Sequence, residues 1–184
     1  MTRVDKPKLR LESLHERHVG LTPSLSGTFF EAASVCLNRH HDSPVEVEIA
    51  RNGGSSIRMV EFKKPDVRVL NAWANDIDTT ESGAYCVCLA AVEVEEQLVA
   101  VKRAETLSGA DWYVAPVGTA PDDLEHCLRL EVSGLDTGAR SAVDARLRQK
   151  VAQARRGASN LPAIASVVEF KERTIAIQKV SSDE

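Results

Sequence analysis

The sequence predicts an α/β fold, a central mixed β-sheet flanked by helices, on three observations. Segments with period-two apolar alternation and segments with helical spacing follow one another in the order α, β, β, α, α, β, β, α, β, β. A strand, helix, strand run over residues 127–170 has the length of a crossover between parallel strands. The 184 residues, 43% hydrophobic and 27% charged, suffice for one well-filled core. The expected organisation is an N-terminal arm, residues 1–20, and a single domain over residues 21–184.

Each element has its own signal. Residues 1–20 are polar and charged, with Leu9, Leu11 and Leu14 as the main apolar groups, which suits a frayed arm or a short helix docking on a partner. The first helix is expected at Leu25-Ser26-Gly27-Thr28, with Ser26 or Thr28 as cap, carrying Phe29, Phe30, Ala33, Val35, Cys36 and Leu37. Pro44 blocks further helix, and Val45-Glu46-Val47-Glu48-Ile49 alternates as a half-buried strand. Asn52-Gly53-Gly54 tolerates positive φ and turns the chain into its hairpin partner, Ile57-Arg58-Met59-Val60-Glu61-Phe62.

Pro65-Asp66 opens the next helix, which carries Val67, Leu70, Trp73 and Ala74 and ends near Ile77-Asp78. Residues 81–103 read as one longer helix, because Tyr85, Cys88, Leu89, Val92 and Val99 form a single stripe. Ser108-Gly109 stops it. Two strands follow, residues 111–117 and 127–133, joined by the polar loop 118–125. Gly134-Leu135-Asp136-Thr137-Gly138 breaks the chain before a helix over residues 139–156 with the stripe Val143, Leu147, Val151, Ala154. Gly157 and Pro162 end it, and residues 163–170 and 174–180 are the last two strands.

The formal net charge of −4 gives no global basic field, so any nucleic-acid binding must rest on local patches. No apolar run approaches the length of about 18 residues needed to span a bilayer. The first eight residues lack the apolar stretch of a secretion signal, which makes a cytoplasmic location the expectation. Cys36, Cys86, Cys88 and Cys127 include no C-x-x-C pair and read as buried free thiols. His40 and His41 follow a helix end, where cations suit the dipole; metal ligation is the alternative.

Two acids stand out. Asp111, in Ala110-Asp111-Trp112-Tyr113-Val114, and Glu131, in Leu128-Arg129-Leu130-Glu131-Val132-Ser133-Gly134, lie on what read as adjacent buried strands. A carboxylate at the tip of a core strand is costly to desolvate unless it is paired or meets a metal, and two together suggest a divalent-cation site. The plainer alternatives are a turn cap for Asp111 and an ion pair between Glu131 and Arg129. Lys150 and Gln153 lie in Arg146-Leu147-Arg148-Gln149-Lys150-Val151-Ala152-Gln153, flanking the apolar stripe; a snorkelling surface lysine is the plainer reading. Arg140, Arg146 and Arg148, with Lys150, Arg155 and Arg156 nearby, form the one cluster suited to a phosphate backbone.

An acid on one strand, a hairpin to a strand reading apolar-Glu-x-x, then a helix and an apolar strand resembles the core of the PD-(D/E)XK nuclease superfamily over roughly residues 25–170. The resemblance implies a restriction-endonuclease-like core and a Mg²⁺- or Mn²⁺-dependent endonuclease, hydrolysing DNA phosphodiesters as a homodimer or as a subunit of a larger complex, away from membranes. It implies Asp111 and Glu131 as cation ligands and Glu31, beside Phe29, Phe30 and Cys36, as the ligand from a preceding helix. The family's lysine, two residues after the second acid, is replaced by Ser133. In this superfamily that lysine is known to move to the following helix, so Lys150, with Gln153, is expected to position the attacking water. An inactive nuclease-fold protein serving as a structural or nucleic-acid-binding subunit is the alternative.

Overall fold

The computed structural model describes residues 6–180 other than 107, 121 and 158; residues 1–5 of the expected arm and residues 181–184 lie outside it. Its centre is a seven-stranded mixed sheet. The strands are β1 (Val45–Arg51), β2 (Gly54–Val60), β3 (Leu98–Arg103), β4 (Trp112–Pro116), β5 (Leu128–Leu135), β6 (Ala163–Glu169) and β7 (Thr174–Val180), in the order β2-β1-β7-β6-β5-β4-β3. Most neighbours are antiparallel; β1–β7 and β5–β6 are parallel. The parallel β5–β6 pair is joined by α4 (Arg140–Arg156), the expected crossover.

Helices cover both faces. Alternate side chains of each strand meet opposite layers, as the two-residue strand period requires. Leu130, Val132, Ile164, Val168 and Ile175 pack into the main core with α1 (Pro23–Asn38) and α3 (Asp76–Glu96). On the other face, Ala163, Ala165, Val167 and Ala176 receive the α4 stripe of Val143, Leu147, Val151 and Ala154. These small strand residues let α4 lie close to the sheet.

Several boundaries differ from expectation, each for a local reason. The stretch expected as one helix over residues 81–103 is a helix and a strand. Gln97 adopts left-handed φ of 59° and ends α3, and Leu98-Val99-Ala100-Val101 is buried on both faces as β3. A short apolar run of this kind fits either period. α1 starts at Pro23, with the Thr22 hydroxyl accepting from the Leu25 N–H at 3.2 Å, so neither Ser26 nor Thr28 is its cap. The helix opened by Asp66 stops at Ala72 (α2, Val67–Ala72), because Asn75 caps a new one, accepting from the N–H groups of Ile77 and Asp78.

The segment from residue 6 to residue 20 is no frayed arm. Leu9, Leu11 and Leu14 are 1% exposed or less and belong to the main core. Leu9 bonds backbone-to-backbone with Met59 on the β2 edge, and the Gly20 N–H donates to the Ala100 carbonyl on the β3 edge. Both sheet edges are thereby partly covered. The four cysteines are free and buried. No helix among the described residues is long and apolar enough to cross a membrane.

Candidate functional site

The site forms where β4 and β5 part. The two strands pair from Trp112↔Leu130 to Val114↔Leu128, so beyond Trp112 the outward N–H of Val132 has no strand partner. Asp111, one residue before β4, supplies it: its backbone N–H donates to the Leu130 carbonyl at 2.8 Å, and its Oδ2 accepts from the Val132 N–H at 2.8 Å. The carboxylate is thus held at the mouth of the gap, half-buried, with Oδ1 turned toward α3. There the Tyr85 hydroxyl lies 2.9 Å from Asp111 Oδ1 and 2.9 Å from Glu81 Oε1.

A phenol has one proton, so Tyr85 donates to only one of these carboxylates at a time. Their oxygens are separated by at most twice that contact distance. Arg103 Nη2 donates to the same hydroxyl oxygen at 3.1 Å. Burial, and the charge of Asp111 beside it, hold the Tyr85 phenol above its ordinary range, so it is a proton donor and not a base near neutrality.

Glu131 approaches from the opposite face of the sheet. On β5, Leu130 and Val132 face α3, which turns Arg129 and Glu131 toward α4. Glu131 is 3% exposed. Its partner is Lys150, whose Nζ donates to Oε2 at 2.9 Å, and Gln153 Nε2 lies 3.4 Å from Oε1. Arg129 instead donates to the carbonyls of Leu161 and Ser108, so the expected alternative of an Arg129–Glu131 ion pair is not what forms. Burial raises the Glu131 carboxyl above its ordinary range; Lys150 opposes that shift and the Asp111 charge adds to it.

Two adjoining cavities meet at these groups. One, about 570 Å³, is lined by Asp111, Glu131, Lys150, Gln153, Arg103 and Arg156. The other, about 530 Å³, is lined by Asp111, Lys150, Glu81, Tyr85, Ser133 and Arg146. Asp111 and Lys150 border both. Of the expected site residues, Asp111, Glu131, Lys150 and Gln153 therefore share one place, and Ser133 stands beside them without contributing a cation.

Glu31 does not belong to this place. On α1 it accepts from the Trp73 indole N–H at 2.7 Å and lines a separate cavity with Glu12, His15 and Phe30. The acid reaching the site from a helix is Glu81 on α3, which the sequence reading passed over. Its position four residues before Tyr85 was visible, but only α3 packing against β5 shows that this face meets Asp111.

The arginines also divide. Arg146 lines the site; Arg148 lines a different hollow with Arg155 and Gln178; and Arg140 lies 3.7 Å from both Glu48 and Asp144.

Oxygen donors for a hard cation are present in Asp111, Glu131 and Glu81. Among the described residues no three His, Cys, Asp or Glu side chains converge tightly enough to hold an ion by themselves. His40 Nε2 stands 3.3 Å from Asp136, and the His41 Nε2–H donates to the Phe170 carbonyl at 2.9 Å. Burial pushes the thiols of Cys36 and Cys88 up to about 12, which leaves them unreactive near neutral pH. Compared with family models, curated proteins and solved structures, the chain matches none of them.

Proposed function

We propose that this chain is a divalent-cation-dependent nuclease that hydrolyses DNA phosphodiesters on a restriction-endonuclease-like core. The observation that carries the reading is the 2.9 Å bond from Lys150, on the crossover helix, to Glu131, at a cavity shared with Asp111. On this reading the lysine has moved from the Ser133 position to that helix, and Lys150 and Ser133 line one cavity. The element order supports the reading further, since α3, β3, β4, β5, α4 and β6 present in sequence a helix acid, an acid just before β4, an acid on β5 and this lysine.

Asp111 and Glu131 would hold Mg²⁺ or Mn²⁺, with Glu81 next to Asp111 as a further oxygen donor. Two or three carboxylates without a closed cage suit Mg²⁺, which keeps several waters and takes oxygens from a phosphate. When bound, the ion supplies a water of lowered pKa and offsets charge on the phosphate. Lys150 is hydrogen-bonded to Glu131, so it orients a water at that edge while fixing the Glu131 rotamer. Gln153, on the same helix edge, offers an amide for the water's second contact. The Val132 N–H, donating to Oδ2, keeps Asp111 from swinging toward solvent, and the Tyr85 hydroxyl lies against Oδ1.

Cleavage of supercoiled plasmid and of single-stranded DNA in Mg²⁺ or Mn²⁺ tests the reading. Wild type is expected to cut, Asp111→Ala and Glu131→Ala to fall to background, and Lys150→Ala to lose about 10²–10³-fold in rate. Identical cleavage by all four proteins would show that the activity belongs elsewhere. Ser133 favours a second reading, a catalytically inactive subunit of the same fold; DNA binding with no cleavage at any metal concentration is its signature.

A further inference from the structure

We propose that Arg103 is the residue that grips the substrate phosphate at this site, an inference that rests on the phosphodiesterase reading above. Arg103 closes β3 and is exposed at the cavity that Asp111, Glu131 and Lys150 line. Its guanidinium lies 4.6 Å over the Tyr85 ring and 4.9 Å from the Trp112 ring. That floor is fixed: Trp112 is fully buried, Tyr85 is 5% exposed, and the two rings meet edge-on at 6.3 Å with Phe29 against both.

A flat cation held on aromatic faces presents its N–H groups sideways. Guanidinium has five such donors, and one of them is used by the Tyr85 hydroxyl. Arg17, Arg39, Arg51 and Arg58 each meet a carboxylate, whereas among the described residues none lies within ion-pair distance of Arg103. The open edge therefore carries donors with no anion among the described residues to satisfy them, beside carboxylates that would repel a phosphate unaided.

The planar fork of arginine matches two non-bridging phosphate oxygens, and its stacked placement lowers the entropy lost on binding. Lys150 is already engaged by Glu131. Arg156 reaches the same cavity from the end of α4, but among the described residues no ring holds it in place. Arg103 thus sets which phosphate faces Asp111.

Anisotropy of a fluorescent single-stranded DNA oligonucleotide, measured in EDTA so that nothing is cut, tests this apart from catalysis. Arg103→Ala is expected to weaken binding about 10- to 100-fold. It is also expected to flatten the dependence of log Kd on log salt by about 0.7, one single-strand phosphate contact. In Mg²⁺ its KM for cleavage rises. Arg103→Lys, which keeps the charge and loses the fork, recovers only part of the affinity.

Wild-type affinity and salt slope in Arg103→Ala, with cleavage still abolished by Asp111→Ala, would overturn the Arg103 assignment and leave the nuclease reading standing. If wild type neither binds nor cuts, both fall. If Arg103→Ala melts well below wild type, Arg103→Lys decides: full affinity there contradicts a fork contact.

Discussion

Glu131 is the buried carboxylate of the proposed site. A carboxylate 3% exposed in the middle of a sheet is expensive unless something meets it, and Lys150 does so at 2.9 Å. Burial, with the Asp111 charge, still leaves its pKa raised. A group with a raised folded pKa favours folding fully below its unfolded value, and that contribution is lost as pH rises through the folded value. Ionised Glu131 therefore costs stability at neutral pH. Glu131→Gln is expected to melt higher than wild type at pH 7, with the gain disappearing as pH falls below about 4; scanning calorimetry at both pH values checks it. A lower melting temperature at pH 7 would mean that the Lys150 pair outweighs the burial.

Residue chemistry was legible where local pattern and partner coincided. Asp111 and Glu131 stand out as strand-tip acids, whereas Lys150 and Gln153, readable from spacing only as the edge of a helix stripe, are singled out by the resemblance to a nuclease core. Glu31 misled because being on an early helix beside aromatics says nothing about which cavity that helix faces; it binds Trp73 instead. Glu81 and Arg103 escaped notice because their meaning depends on Tyr85, which read as one more stripe residue.

At the scale of elements, the crossover β5–α4–β6 and the hairpin β1–β2 were readable, since turn chemistry and period agreed. β3 was not, because a four-residue apolar run continues a helical stripe as well as it forms a buried strand. Close packing of α3 on β5 was also invisible. It depends on Gly134, where an added Cβ would stand 2.5 Å from the Thr80 carbonyl oxygen and 2.8 Å from Thr80 Cγ2. Gly134→Ala is accordingly expected to cost about 1–3 kcal/mol and to shift β5 against α3. Thermal melting would show a fall of about 2–12 °C for a chain of this length. Unchanged melting would mean that the helix moves aside freely.

For the whole molecule, the N-terminal segment completes the core it precedes. Leu9, Leu11 and Leu14 close the main cluster, and backbone bonds from this segment cover β2 and β3 at the two sheet edges. Composition hid this, because three leucines among charged residues resemble an arm. Leu11→Ala is expected to lose about 2–5 kcal/mol, read as a lower urea midpoint with an unchanged slope. The segment also bonds to α3 and β3, which carry Glu81, Tyr85 and Arg103: the Cys86 thiol meets the Leu11 carbonyl and the Gly20 N–H donates to the Ala100 carbonyl.

On the proposed reading, Asp111 and Glu131 hold one divalent cation between them. Calorimetric titration of Mn²⁺ into the purified chain tests it most directly, without any substrate. Saturable binding is expected in wild type, weakened at least about tenfold by Asp111→Ala and, separately, by Glu131→Ala. Binding of equal affinity in all three proteins, or none in wild type, would contradict it.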